Sequence, residues 1–154
     1  MATRPLILPI LLGLLALAGA TAQAGTLQVT DAWVRAAPPN ARMLAGYMTL
    51  ENTSERDRAL LGAASEAFKR IELHRSVVES GMARMVEQES IPVPAGETVS
   101  LEPGGYHLML MHPRQRLSAG ESVTLTLSFD NGQTLAVEAP IRRPGAGAEG
   151  QSQR

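Results

Sequence analysis

The sequence predicts an all-β protein, an antiparallel β-sandwich with Greek-key connections. Between residues 27 and 141 the apolar side chains alternate with polar ones more often than they recur at the helical period of 3.6. Clusters of Gly, Pro, Asn and Ser interrupt this pattern at short intervals, which leaves runs of strand length. One interruption, Asp130-Asn131-Gly132, places Asn-Gly between two alternating runs, the strongest short-range signal for a β-hairpin.

Eight strands follow from these breaks. Leu27 to Val34 and Leu44 to Glu51 flank the loop Ala37-Pro38-Pro39-Asn40, and Ile71 to Val77 and Ala83 to Gln88 flank Val78-Glu79-Ser80-Gly81, read as a four-residue hairpin loop. Val99 to Leu101, Tyr106 to Met111, Ser122 to Phe129 and Gln133 to Ile141 complete the set. Only Ser65 to Arg70 has a helical flavour, and it is too short to matter. The number and spacing of strands suit a sandwich.

The ends of the chain differ from this body. Arg4 supplies a positive start, Leu6 to Ala20 is an apolar run short for a membrane span, and Ala22-Gln23-Ala24 is a small-x-small cleavage site. Residues 1–24 are therefore expected to be a signal peptide, residues 25–143 one exported domain, and residues 144–154, which carry no large apolar side chain, a disordered tail. Loss of Arg4 leaves 13 basic residues against 15 acidic ones, so no basic surplus attracts nucleic acid or anionic lipid. With aromatics at 3%, Trp33 and Tyr47 are expected to pack in the core or at an edge and do not form a platform for bases.

The chain contains no cysteine, which excludes disulfides, thiolate copper carriers and blue-copper electron transfer. It does carry His74, Met85, His107 and Met109, with intervals of ten, twenty-one and one intervening residues. Imidazole suits several late transition metals, whereas thioether sulfur is soft and selects copper(I). In a strand, residues i and i+2 share a face, so His107 and Met109 project together while Leu108 and Leu110 point the other way. A four-residue loop at Val78 to Gly81 would pair Val77 with Met82 and set His74 directly opposite Met85, about 4.5–5.5 Å between β-carbons.

Neighbouring residues are open to the same chemistry. Met82 flanks the hairpin and could replace Met85, Met111 shares the parity of His107 and Met109, and His112 is expected to be peripheral. Met43 and Met48 are expected to be core fillers, although Met43 sits in a loop that could lie near the site.

The spacing His-x10-Met-x21-His-x-Met occurs with Asp31-Ala32-Trp33-Val34-Arg35, Gly46-Tyr47-Met48, Glu51-Asn52 and Glu102-Pro103-Gly104-Gly105-Tyr106-His107. Together these resemble the PCuAC family of periplasmic copper(I) chaperones over nearly all of Leu27 to Ile141. The resemblance implies a cupredoxin-like sandwich that binds copper(I) through His74, Met85, His107 and Met109. It also implies a monomeric periplasmic carrier, not an enzyme, which delivers copper to a copper-accepting subunit of cytochrome c oxidase, alongside a Sco-type thiol protein. A copper buffer without a specific acceptor would need the same ligands. Some members carry a His- and Met-rich tail with a second copper site, but Pro144 to Arg154 has neither residue, so one site is expected.

Overall fold

The computed structural model describes residues 26–145; the expected signal segment and, beyond Pro144 and Gly145, the expected disordered tail lie outside them. Ten strands form: β1 (Leu27–Arg35), β2 (Met43–Asn52), β3 (Arg58–Ala64), β4 (Phe68–Glu79), β5 (Met82–Gln88), β6 (Ile91–Val93), β7 (Thr98–Leu101), β8 (Tyr106–Pro113), β9 (Ser122–Phe129) and β10 (Thr134–Arg142). They run in the order β5-β4-β8-β7-β2-β1-β10-β9-β3-β6, with β2 also bonded to β8. A parallel pairing of β1 with β10, Val34 to Ile141 and Arg35 to Arg142, joins the two halves.

The halves share one core. Leu50, Leu108 and Leu110 of the first half and Leu60, Leu125 and Leu127 of the second are all fully buried in it. Strand β9 shows the cause plainly, since its exposed and buried residues alternate along its whole length. Each aliphatic side chain removed from water in this way contributes about 1.5–3 kcal/mol. Gly46 lets β2 approach β8 closely, because a β-carbon there would meet Leu108 Cβ at 3.4 Å. The cupredoxin-like all-β expectation holds.

Strands β3 and β6 go beyond the eight expected. The β3 sequence Arg-Ala-Leu-Leu-Gly-Ala-Ala has weak alternation, and its register slips between Leu60 and Gly62. Strand β6 has only three residues and is centred on Pro92, a poor strand former in sequence terms. Ser65 to Arg70 is a turn that runs into β4, and no helix occurs among the described residues. None of them can cross a membrane as a helix.

Candidate metal centre

Strand β8 is the spine of the site. Leu108 and Leu110 are anchored in the core, and this forces His107, Met109 and Met111 onto the opposite face. Strand β4 lies antiparallel to β8 with His74 directly across from His107 and Glu72 across from Met109. The two imidazole centroids are 5.9 Å apart, with their planes inclined by 45°.

The hairpin that carries Met85 differs from the expected one. Its loop is a two-residue turn, Ser80-Gly81, with both residues at positive φ, 52° and 76°. Turns of this kind match the right-handed twist of the flanking strands. Glu79 therefore pairs with Met82, Ser76 with Met85 and His74 with Glu87, so the pairing of His74 opposite Met85 is corrected by two residues. A shift of two preserves the face. Met85 becomes the diagonal neighbour of His74, within reach of a long flexible side chain at about 7–8 Å. Met82, three positions away, projects from the other face and is 67% exposed at the hairpin tip.

Met85, His107 and Met109 line an open cleft of about 580 Å³ together with Met43, Tyr47 and Ser76. His74 does not line this cleft but stands across the β4–β8 pairing from His107, with its side chain 13% exposed. His107 is 3% exposed, whereas Met85 is 63% exposed on the edge hairpin. Two ligand candidates are thus held by the sheet and one is open to solvent. Trp33 packs on Tyr47 with centroids 4.7 Å apart at the cleft's side. A larger depression of about 920 Å³, near Ala64 to Ala67 and Arg114, contains no His or Met.

Hydrogen bonds prepare the two rings differently. His107 Nδ1 lies 3.1 Å from the Gly105 carbonyl, so it donates there and leaves Nε2 with a free lone pair. His74 Nε2 lies 2.9 Å from Glu72 Oε2, which leaves Nδ1 free. Both freed nitrogens, His74 Nδ1 and His107 Nε2, are buried and have no hydrogen-bond partner. A buried polar atom without a partner costs about 1–3 kcal/mol, so both nitrogens are open to a hydrogen-bond donor or to a Lewis acid. Glu72 is itself paired through Oε1 with Arg70 Nη2. A carboxylate behind a histidine is a familiar device for orienting a metal ligand.

Glu72 and Met43 are the residues that sequence reasoning missed or misplaced. Glu72 was available by parity, two residues before His74 on the same face. Met43 is half exposed on the cleft and is not core, whereas Met48, at 2% exposure, is core as expected. His112 has φ of 51°, is exposed, and lines a separate depression with Arg42 and Lys69. Five residues beyond His107, it lies about 17 Å further along the strand. Among the described residues no three His, Cys, Asp or Glu side chains are grouped to hold a metal ion.

The family described as "Putative lipoprotein LpqE-like" matches residues 27–141, which include every strand but for the last residue of β10. The chain belongs to the LpqE-like family. The Leifsonia xyli subsp. xyli protein named "Putative lipoprotein Lxx21020" is 38% identical over 121 residues, 78% of this chain and 72% of that one. An uncharacterised Rickettsia prowazekii protein, RP573, is 30% identical over 62% of this chain and 53% of its own length. Among solved structures, this LpqE-like protein is similar to copper(I)-bound DR1885 from Deinococcus radiodurans, at 36% identity and a TM-score of 0.57, covering 84% of this chain and 86% of that one. It also shares its fold with the copper-bound PCuAC domain from PmoF2, at 22% identity and a TM-score of 0.67, covering 79% and 96%.

Proposed function

We propose that this LpqE-like protein is an exported, periplasmic copper(I) carrier, which holds one ion with His74 Nδ1, His107 Nε2, Met85 Sδ and Met109 Sδ and passes it to a copper-accepting subunit of a haem-copper oxidase. The observation that carries the reading is the pair of buried, unpartnered imidazole nitrogens on directly paired strands, with two thioethers on the same face. Two neutral nitrogens and two soft sulfurs form a shell for a soft monovalent ion. The similarity to copper(I)-bound DR1885 supports the same cargo. The lipoprotein names of the family and of its Leifsonia xyli relative, with the signal-like residues 1–24, support export.

The geometry suits transfer better than storage. His107 is held in the sheet, while the exposed Met85 on the edge hairpin can leave first and let an acceptor's ligand take its place. The carrier performs no bond-making chemistry on the ion, so it acts as a donor and not as a catalyst. A Sco-type thiol protein would act beside it on the same acceptor.

Anaerobic titration against a chromophoric copper(I) chelator tests the binding, with one tight equivalent expected and zinc(II) and copper(II) far weaker. Stopped-flow mixing of the loaded protein with an apo oxidase copper domain tests delivery. The transfer rate should rise with acceptor concentration. A rate fixed at the spontaneous off-rate would make the protein a buffer.

A further inference from the structure

Two methionines outside the four-residue set stand opposite each other across β2 and β8, Met43 and Met111. Met43 opens β2, is 51% exposed, and lines the cleft with Met109. Met111 shares the face of His107 and Met109, and its sulfur accepts a weak contact from Arg70 Nη2 at 3.7 Å. Cross-strand β-carbons lie about 4.5–5.5 Å apart, so two flexible thioethers in this position can close on one ion. Met109 lies one strand repeat away, about 6.8 Å along β8. Sulfur donors therefore continue from the imidazole pair toward the far end of the strand.

We propose that Met43 and Met111 form a second, weaker copper(I) station, with Met109 shared between it and the four-residue site. The inference rests on reading this face as a copper(I) site. Two neutral soft donors select copper(I) or silver(I) over zinc(II) and copper(II). The station is weak because it contains no imidazole and because an entering ion must displace Arg70 from Met111. The Arg70 charge is exposed to solvent and paired with Glu72, which limits its repulsion. An ion can thus enter or leave by exchanging one sulfur at a time.

Copper(I) added anaerobically to protein carrying methyl-13C methionine, followed by NMR, separates the two sites. Up to one equivalent, the Met85 and Met109 methyl signals should move. Beyond it, Met43 and Met111 should move while Met48 and the exposed Met82 stay in place. Met43→Leu and Met111→Leu should each abolish the second phase and slow loading from a copper(I) chelate several-fold, and Met111→Leu, outside the cleft lining, should leave the first-equivalent affinity unchanged. The station is refuted if Met43 and Met111 never respond, or if Met82 responds with them, which would mean unspecific thioether binding. An unchanged loading rate overturns the transit role. Absence of the first phase refutes the copper(I) reading of the whole face, so the two failures are distinguishable.

Discussion

His74 and His107 face each other across β4 and β8, and each presents a different free nitrogen, Nδ1 from the first and Nε2 from the second. The asymmetry originates in what holds the other nitrogen, a carboxylate for His74 and a backbone carbonyl for His107. Long-range 1H–15N correlation spectra of the copper(I) or silver(I) form should show the metal on Nδ1 of His74 and on Nε2 of His107. Coordination of His74 through Nε2 would mean that the Glu72 contact is broken on loading.

Glu72 should act through His74. Outer partners of metal-bound histidines typically contribute about 10–100-fold in affinity. Glu72→Ala is expected to weaken copper(I) binding by that order, and Glu72→Gln, which can still accept the ring N–H, to recover part of it. Equal affinity for all three proteins would remove Glu72 from the site.

The four candidate ligands should separate from their neighbours by substitution. His74→Ala, His107→Ala, Met85→Ala and Met109→Ala should each cost at least tenfold in affinity, about 1.4 kcal/mol. Met82→Leu should leave affinity intact, because its side chain lies on the other face at the hairpin tip. If Met82→Leu abolishes binding and Met85→Leu does not, the observed register of β4 with β5 is not the one that binds copper.

Acid should release the ion. Imidazole ligates only as the neutral ring, so protons compete with copper(I) for both free nitrogens. Fewer protons are bound in the loaded state than in the free state in acid, and affinity must therefore fall as the pH is lowered. The thioethers do not titrate and set a floor. Chelator competition at stepped pH is the measurement, and a flat profile would exclude two histidine ligands.

Stability should depend on Asn52, which lies far from this chemistry. It is fully buried, its Nδ2 donates to the carbonyls of Arg56, Val93 and Pro94 at 2.8–3.2 Å, and its Oδ1 accepts from Ser54. Asn52→Leu would strand those carbonyls, at about 1–3 kcal/mol for each group left unpaired. Denaturant unfolding should show a clear loss of stability, with copper(I) affinity of the folded fraction unchanged.

Much of the molecule is legible along the chain because strand parity is local. The alternation of β9, the Asn131-Gly132 turn, and the placing of His107 and Met109 on one face with Leu108 and Leu110 on the other all follow from a period of two residues. The four spaced ligand candidates and the absence of cysteine already narrowed the chemistry to a soft metal. Strands β3 and β6 were not legible, since a bulged Ala-Gly run and a Pro-centred triplet carry little alternation and are held by pairing with each other and with β9.

Pairing partners and register were decided only by the folded structure. Nothing between His74 and His107 in sequence dictates that β4 lies beside β8, because that contact closes over more than thirty residues and is selected by burial of Leu73, Leu108 and Leu110 in the shared core. The hairpin loop turned on the backbone angles of Ser80 and Gly81, which moved Met85 from directly opposite His74 to a diagonal position. The sequence thus determined which side chains could share a face. Tertiary packing decided which of them meet, because that depends on distances between strands that no local pattern encodes, whereas the contacts that set the free nitrogen of each ring, Glu72 with His74 and Gly105 with His107, lie only two residues away along the chain.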